Sequence, residues 1–200
     1  MTEYVAGGDL RDAQNLWDGG MPLAQALDIV RQLARALDHM HSRGFAHADL
    51  KPENVLLDQP FSDQGPNQVK LADFGLAVPF CTSRSGRRKS HVRGGTAVYM
   101  APEALLREAH DPSKSDVFTL GVMAYELVTG SRPFNRAGES RALAQEAQLR
   151  AIHRGVRFDG DEWNGVDRKV ERTLRKMLHP NWRRRPSAAQ VVQVLDRFCT

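Results

Sequence analysis

The densest run of reactive side chains in this 200-residue chain is His47-Ala48-Asp49-Leu50-Lys51-Pro52-Glu53-Asn54. Within it, Asp49, Lys51 and Asn54 put an acid, a base and an amide inside six residues. Pro52 argues for a loop and against a helix interior. Side chains held in a loop at this spacing can converge on one point, which is what proton-handling and charge-stabilising chemistry needs. Two further segments follow in order. Asp73-Phe74-Gly75 comes nineteen residues after Asn54, and its glycine allows a sharp or left-handed backbone. Gly95-Thr96-Ala97-Val98-Tyr99-Met100-Ala101-Pro102-Glu103 comes after a basic stretch. A lone Asp or Asn in a loop more often serves a turn through its own side chain. Here the joint spacing is what turns the reading toward chemistry.

The elements that must position these residues are legible from periodicity. Leu23, Leu27, Val30, Leu33, Leu37 and Met40 recur at three- and four-residue steps, with Pro22 suited to the start of a helix and Gly44 to its stop. Val55-Leu56-Leu57 and Val69-Lys70-Leu71 read as two short strands joined by a turn-rich loop. From Asp116 the chain is apolar on nearly every face up to Gly130, which marks a buried helix. Further helices are expected near 140–154, 167–178 and 187–198, the last capped by Ser187. Gly7-Gly8 and Gly19-Gly20 flank one or two helical turns. The fold class expected is mainly α with a small β-hairpin region.

Composition bounds the rest. Lys and Arg number 28 against 24 Asp and Glu, a net charge of +4, and 41% of residues are apolar. That suits one globular domain, or a domain plus a fragment, able to bury a core without disulfides or metals. No apolar run is long enough to span a membrane, and the N-terminus lacks the pattern of a signal peptide. Cys81 and Cys199 form no C-x-x-C pair, and an intracellular, cytoplasmic setting is expected. The run from Arg84 to Arg93 carries five basic residues without aromatics, so it reads as a solvated loop and not as a nucleic-acid surface.

Taken together, the three segments resemble the catalytic loop, D-F-G and A-P-E of the protein kinases, in the right order and at compatible distances. Asp-Leu-Lys-Pro-Glu-Asn and Gly95-Thr96-x-x-Tyr99 resemble the serine/threonine branch. The resemblance implies a protein-kinase-like C-terminal lobe over the whole chain, with 1–10 as hinge, 11–200 as large lobe and 73–103 as activation segment. It implies transfer of the ATP γ-phosphoryl group to Ser or Thr hydroxyls of proteins, with Mg²⁺. Asp49 would orient or accept the hydroxyl proton, Lys51 would sit by the transferred group, and Thr96 would bridge the two. Asn54 and Asp73 would hold Mg²⁺ through oxygen, which this hard cation prefers. Backbone groups of Glu3 and Val5 would bond adenine, with Thr2 as gatekeeper and Leu56 beneath the ring. Asp9 matches a position that touches ribose or a substrate arginine, and a solvated cap is its alternative. Glu53 also matches a substrate-arginine position, so a basic peptide is suggested. His47, Phe74, Gly75, Glu103, Asp116 and Arg185 match structural positions, Asp116 holding the catalytic-loop backbone and Arg185 pairing with Glu103.

Two departures from the family pattern stand out. The chain has no G-x-G-x-x-G, no strand lysine and no helix-C glutamate. A small lobe in cis is therefore the expected missing partner, and the 200 residues alone are expected to be inactive; a non-catalytic, pseudokinase-like scaffold is the alternative. The catalytic loop also reads His47-Ala48-Asp49, without the usual arginine, so control by activation-loop phosphate should be weaker or different. Ser90, after Arg87-Arg88-Lys89, is the candidate phosphosite.

Overall fold

The computed structural model describes residues 5–17, 19–60, 68–80, 94–134 and 141–198, with the side chains of 141–144 excepted. Thr2, Glu3, Ser90 and both cysteines lie outside them. Seven helices are described: α1 (Leu10–Gln14), α2 (Leu23–Ser42), α3 (Pro102–Leu105), α4 (Pro112–Thr129), α5 (Arg141–Arg154), α6 (Arg168–Met177) and α7 (Ala188–Leu195). Four short strands join them: β1 (Phe45–Ala46), β2 (Val55–Leu57), β3 (Val69–Leu71) and β4 (Val78–Pro79). None of the described helices is long and apolar enough to cross a membrane.

The centre of the fold is α4. Fifteen of its eighteen residues are buried, Phe118, Leu120, Met123 and Leu127 among them at 1% exposure or less. Burying each such side chain contributes about 1.5–3 kcal/mol, so this helix is the mould on which the others set. It packs against α2 and α6, and α2 packs in turn against α7. Asp111 caps its start by accepting the Ser113 amide, and Gly130 ends it in the left-handed conformation at φ 69°. The amphipathic stripe of α2 buries Leu27, Val30, Leu33 and Leu37 against this core. At α7 the expected cap is a full capping box: the Gln190 amide donates to Ser187 Oγ at 3.2 Å and the Ser187 amide to Gln190 Oε1 at 2.9 Å.

Strands β2 and β3 pair antiparallel with Val55 opposite Leu71 and Leu57 opposite Val69, as the two apolar triplets predict. A second pair, β1 with β4, sets Phe45 opposite Pro79 and Ala46 opposite Val78. Two-residue strands carry no periodic signal, and this sheet is a structural addition to the single hairpin. The N-terminal segment joins the edge of β2: the Gly7 amide donates to the Leu57 carbonyl and the Leu57 amide to the Gly8 carbonyl, both at 3.0 Å. Residues 52–54 form a 3₁₀ turn leading into β2, so Asn54 and Asp49 lie on a short, tightly bonded loop between β1 and β2.

Candidate functional site

Asp49 sits where the three segments meet and is only 9% exposed. Its Oδ1 accepts the Thr96 amide at 2.9 Å and the Thr96 hydroxyl at 3.1 Å. Its Oδ2 accepts the Lys51 ammonium at 2.8 Å. Asn54 donates its side-chain nitrogen to the Asp49 carbonyl at 2.9 Å. That bond commits the nitrogen and leaves the Asn54 oxygen as the side-chain atom available to a cation. Asp49, Lys51, Asn54 and Thr96 are thus brought together. The Lys51 pKa is raised, first by its hydrogen bond to Asp49, with the charges of Asp49, Glu53 and Asp73 adding and burial opposing. A lysine so held stays a compact cation.

The loop keeps this shape through groups that do not themselves face the acceptor. His47 is fully buried. Its Nδ1 accepts the Asp49 amide at 3.3 Å, so Nε2 carries the proton that it donates to the Ala72 carbonyl at 3.0 Å. Its ring meets Phe74 edge-on with centroids 5.4 Å apart. The Ala72 amide donates to the Asn54 carbonyl at 2.9 Å, which ties the segment before Asp73 to the 47–54 loop by a second bond. Asp116, at the start of α4, accepts three donors: the His47 amide at 2.8 Å, the Ala48 amide at 2.9 Å and His41 Nε2 at 2.8 Å.

Asp73 is exposed, sits at φ 58° and accepts the Gly75 amide at 3.2 Å. The left-handed backbone falls at Asp73 and not at Gly75, the position for which the sequence suggested it. Phe74 is 53% exposed. Gly95, just before Thr96, has φ 101°, and a Cβ there would stand 3.0 Å from the Ala48 carbonyl oxygen. Only glycine lets the two segments approach so closely.

Away from the loop, Glu103 and Arg185 form a fork-to-fork pair at 2.6 and 2.8 Å, with Arg185 0% and Glu103 3% exposed at the side chain. Arg185 also donates to the carbonyls of His179, Pro180 and Lys114, and its guanidinium lies 4.6 Å from the Phe118 ring centroid. Ser115 donates to Glu103 at 2.7 Å. Burial pushes the Arg185 pKa down and the Glu103 pair opposes that.

At the N-terminal edge, Asp9 and Leu56 are bridge partners. Asp9 caps α1, accepting the Asp12 amide at 2.9 Å, which is the cap alternative in its sequence reading. Glu53 is engaged by Arg11, whose Nε donates to it at 3.1 Å. Arg11, Tyr99, Glu126 and His41 carry contacts that sequence reasoning did not single out. A carboxylate inside an all-round apolar helix, Glu126, was the available signal. Chemically, the site offers an anchored carboxylate beside a fixed cation, with the buried Asn54 bonded to it and the Asp73 charge acting on Lys51.

Comparison with known proteins finds similarity along nearly the whole chain. The sequence model described as the protein kinase domain matches residues 1–195. CBL-interacting protein kinase 10 of Oryza sativa subsp. japonica is 33% identical over 197 residues, covering 96% of this chain and 39% of that protein. Testis-specific serine/threonine-protein kinase 3 of Mus musculus is 35% identical over 191 residues, covering 96% of this chain and 65% of that protein. Serine/threonine-protein kinase PknB of Mycobacterium leprae is 39% identical over 134 residues, covering 67% of this chain and 20% of that protein. The chain therefore spans well under half the length of the rice kinase it matches.

Proposed function

The chain belongs to the protein kinase family, and on that premise we propose that it is the large lobe of a serine/threonine kinase that transfers the ATP γ-phosphoryl group to Ser or Thr hydroxyls of proteins. Residues 1–200 are read as a partial kinase domain, with 1–10 as hinge and 73–103 as activation segment. The observation that carries the proposal is the double anchoring of Asp49, by Lys51 on one oxygen and Thr96 on the other. That geometry supports Asp49 as the group that orients the acceptor hydroxyl and takes its proton. Lys51 is read as the positive charge beside the transferred phosphoryl.

Mg²⁺, bound with ATP, neutralises developing phosphate charge. The oxygens of Asn54 and Asp73 fit it, because the Asn54 nitrogen is committed to Asp49 and Asp73 is exposed. The backbone of Glu3 and Val5 is read as the adenine contact, with Leu56 beneath the ring. Asp9 stands beside Leu56 and caps α1 through Oδ1, so a ribose contact would fall to its second carboxylate oxygen. The basic-peptide expectation gains no support, since Asp9 and Glu53 both have partners inside the chain. A cytoplasmic setting goes with this reading as part of the proposal.

The 200 residues contain no glycine-rich phosphate loop, so we read them as needing a second lobe for efficient transfer. A non-catalytic binding module is the second reading. It is favoured by the exposed apolar side chains of Phe45, Phe74 and Leu76, which suit a covering partner.

The test is Asp49→Asn in the natural protein that carries these residues, assayed with Mg²⁺-ATP on a library of Ser and Thr peptides. Transfer should fall by about a thousandfold or more with the thermal midpoint unchanged. Transfer at the wild-type rate would remove Asp49 from the chemistry. Mg²⁺-dependent nucleotide binding with no transfer to any peptide would favour the binding module.

A further inference from the structure

Arg11 lies in α1, and every nitrogen of its guanidinium has a partner. Nε donates to Glu53 at 3.1 Å, and Nη1 donates to Gln14 at 2.8 Å and to Glu126 at 3.2 Å. Nη2 donates to the Tyr99 hydroxyl, which itself donates to Glu126 Oε2 at 2.6 Å. Both sides of this nest grow from the segments that hold Asp49: Glu53 is four residues beyond it and Tyr99 is three beyond Thr96. Glu126 is buried at 6% exposure, whereas the Arg11 and Glu53 side chains are 28% and 44% exposed. The seat is therefore closed beneath and open above. A cleft of about 420 Å³, lined by Arg11, Gln14, Trp17, Met21 and Glu126 among others, opens beside it. None of that lining belongs to 47–54 or 73–75.

The charges here balance within the chain. Glu53 and Glu126 supply two negatives and Arg11 one positive. Arg132 supplies the other, 3.6 Å from Glu126 with its guanidinium 5.9 Å from the Tyr99 ring centroid. Burial first, and then Glu126, hold the Tyr99 phenol above its usual range against the opposing Arg11 charge, so it remains a neutral donor.

We infer that Arg11 is a specificity-determining residue: its guanidinium fills the cation seat between Glu53 and Glu126, next to the acceptor site, and so removes selection for arginine in the substrate peptide at that seat. The inference rests on the kinase reading for its relevance to substrates. A peptide arginine would have to displace a guanidinium already bonded at every nitrogen. Without Arg11, the same carboxylates would face the peptide with an unmatched negative charge, of which Arg132 covers only part.

The experiment uses the natural protein as wild type, Arg11→Gln, Arg11→Lys and Arg11→Gln/Glu53→Gln. Each is assayed for kcat/KM on pairs of serine peptides carrying Arg or Gln at each position flanking the acceptor. The same pairs with Ala at the acceptor are measured for binding alone. Wild type should give an Arg/Gln ratio near one at the position that faces the seat. In Arg11→Gln the ratio at one position should rise by about tenfold. That gain should vanish in the double variant and weaken in high salt. Arg11→Lys, whose point charge cannot meet all these partners at once, should give a gain of about threefold. A wild type that already prefers arginine at the position Arg11→Gln affects, or a folded Arg11→Gln with flat ratios, overturns the inference. If Arg11→Gln fails to fold by thermal melting, flat ratios in Arg11→Lys overturn it equally. If no variant transfers phosphate, the binding pairs still decide: a ratio gained only on loss of Arg11 upholds the seat while the catalytic reading fails alone.

Discussion

Asp116 holds Ala48 in a left-handed backbone conformation: its Oδ1 accepts the Ala48 amide at 2.9 Å while Ala48 sits at φ 65°. Such a conformation costs an alanine about 1–2 kcal/mol. It persists because the other carboxylate oxygen accepts the neighbouring His47 amide and His41. The bend at Ala48 is what turns Asp49 back toward Thr96. Asp116→Ala would leave these donors without their acceptor and should cost about 3 kcal/mol or more, read from urea unfolding. Ala48→Gly should stay within about 1 kcal/mol of wild type, because relief of strain offsets the greater freedom of glycine in the unfolded chain. A large loss in Ala48→Gly would mean that the methyl group packs and that strain is not the main term.

Thr96 touches Asp49 through both its amide and its hydroxyl. Thr96→Val should keep the first bond and lose the second, lowering kcat by about tenfold with little change in folding stability. Thr96→Ser should restore most of the rate. Equal rates for Val and Ser would show that the amide alone suffices. Gly95→Ala should be worse than either, since its Cβ meets the Ala48 carbonyl oxygen at 3.0 Å in a backbone at φ 101°.

Glu103 and Arg185 are both buried and bonded at both prongs. Arg185→Ala should destabilise by about 3–5 kcal/mol, because Glu103 is left as a buried carboxylate without its counter-charge. Arg185→Lys should recover little of this, since one ammonium cannot reach Glu103 and the His179, Pro180 and Lys114 carbonyls together. Urea midpoints of the two variants measure the comparison. A lysine variant as stable as wild type would reduce the pair to simple charge.

His179 has its pKa pushed below the usual 6.5, by burial first and then by the Arg184 and Arg185 charges. Its Nδ1 accepts the Asn181 amide at 2.9 Å, a bond that requires an unprotonated nitrogen there. The unfolded chain therefore takes up this proton before the folded one does. Stability should fall as pH drops through 6.5 and level off once the folded group titrates. His179→Gln should flatten that part of the profile of thermal midpoint against pH. An unchanged slope would assign the acid sensitivity to other groups.

The sequence made the elements legible wherever a pattern repeated. The stripe from Leu23 to Met40 announced α2, and the continuous apolar run after Asp116 announced the buried α4. The triplets 55–57 and 69–71 became β2 and β3 with those bounds. The strands β1 and β4 escaped because two residues have no period. At the site, motif spacing singled out Asp49, Lys51, Asn54 and Thr96, which the fold brings into contact. Arg11 escaped because nothing local marks an arginine on a short surface helix. Besides the neighbouring Gln14, its partners come from 42, 88 and 115 residues away, a juxtaposition only the tertiary fold creates. Asp9 was open between ligand contact and cap, and one of its carboxylate oxygens caps α1.

Because α4 is sheathed on nearly all sides, it acts as a ruler. Asp116, which grips the catalytic-loop backbone, and Glu126, which floors the Arg11 seat, are ten residues apart on this one helix. At 1.5 Å of rise per residue the two grips are set about 15 Å apart along its axis. The spacing between the grip on the 47–48 backbone and the floor of the Arg11 seat is thus fixed by a rod of hydrogen-bonded turns. Surface loops can change length around it without altering that gauge.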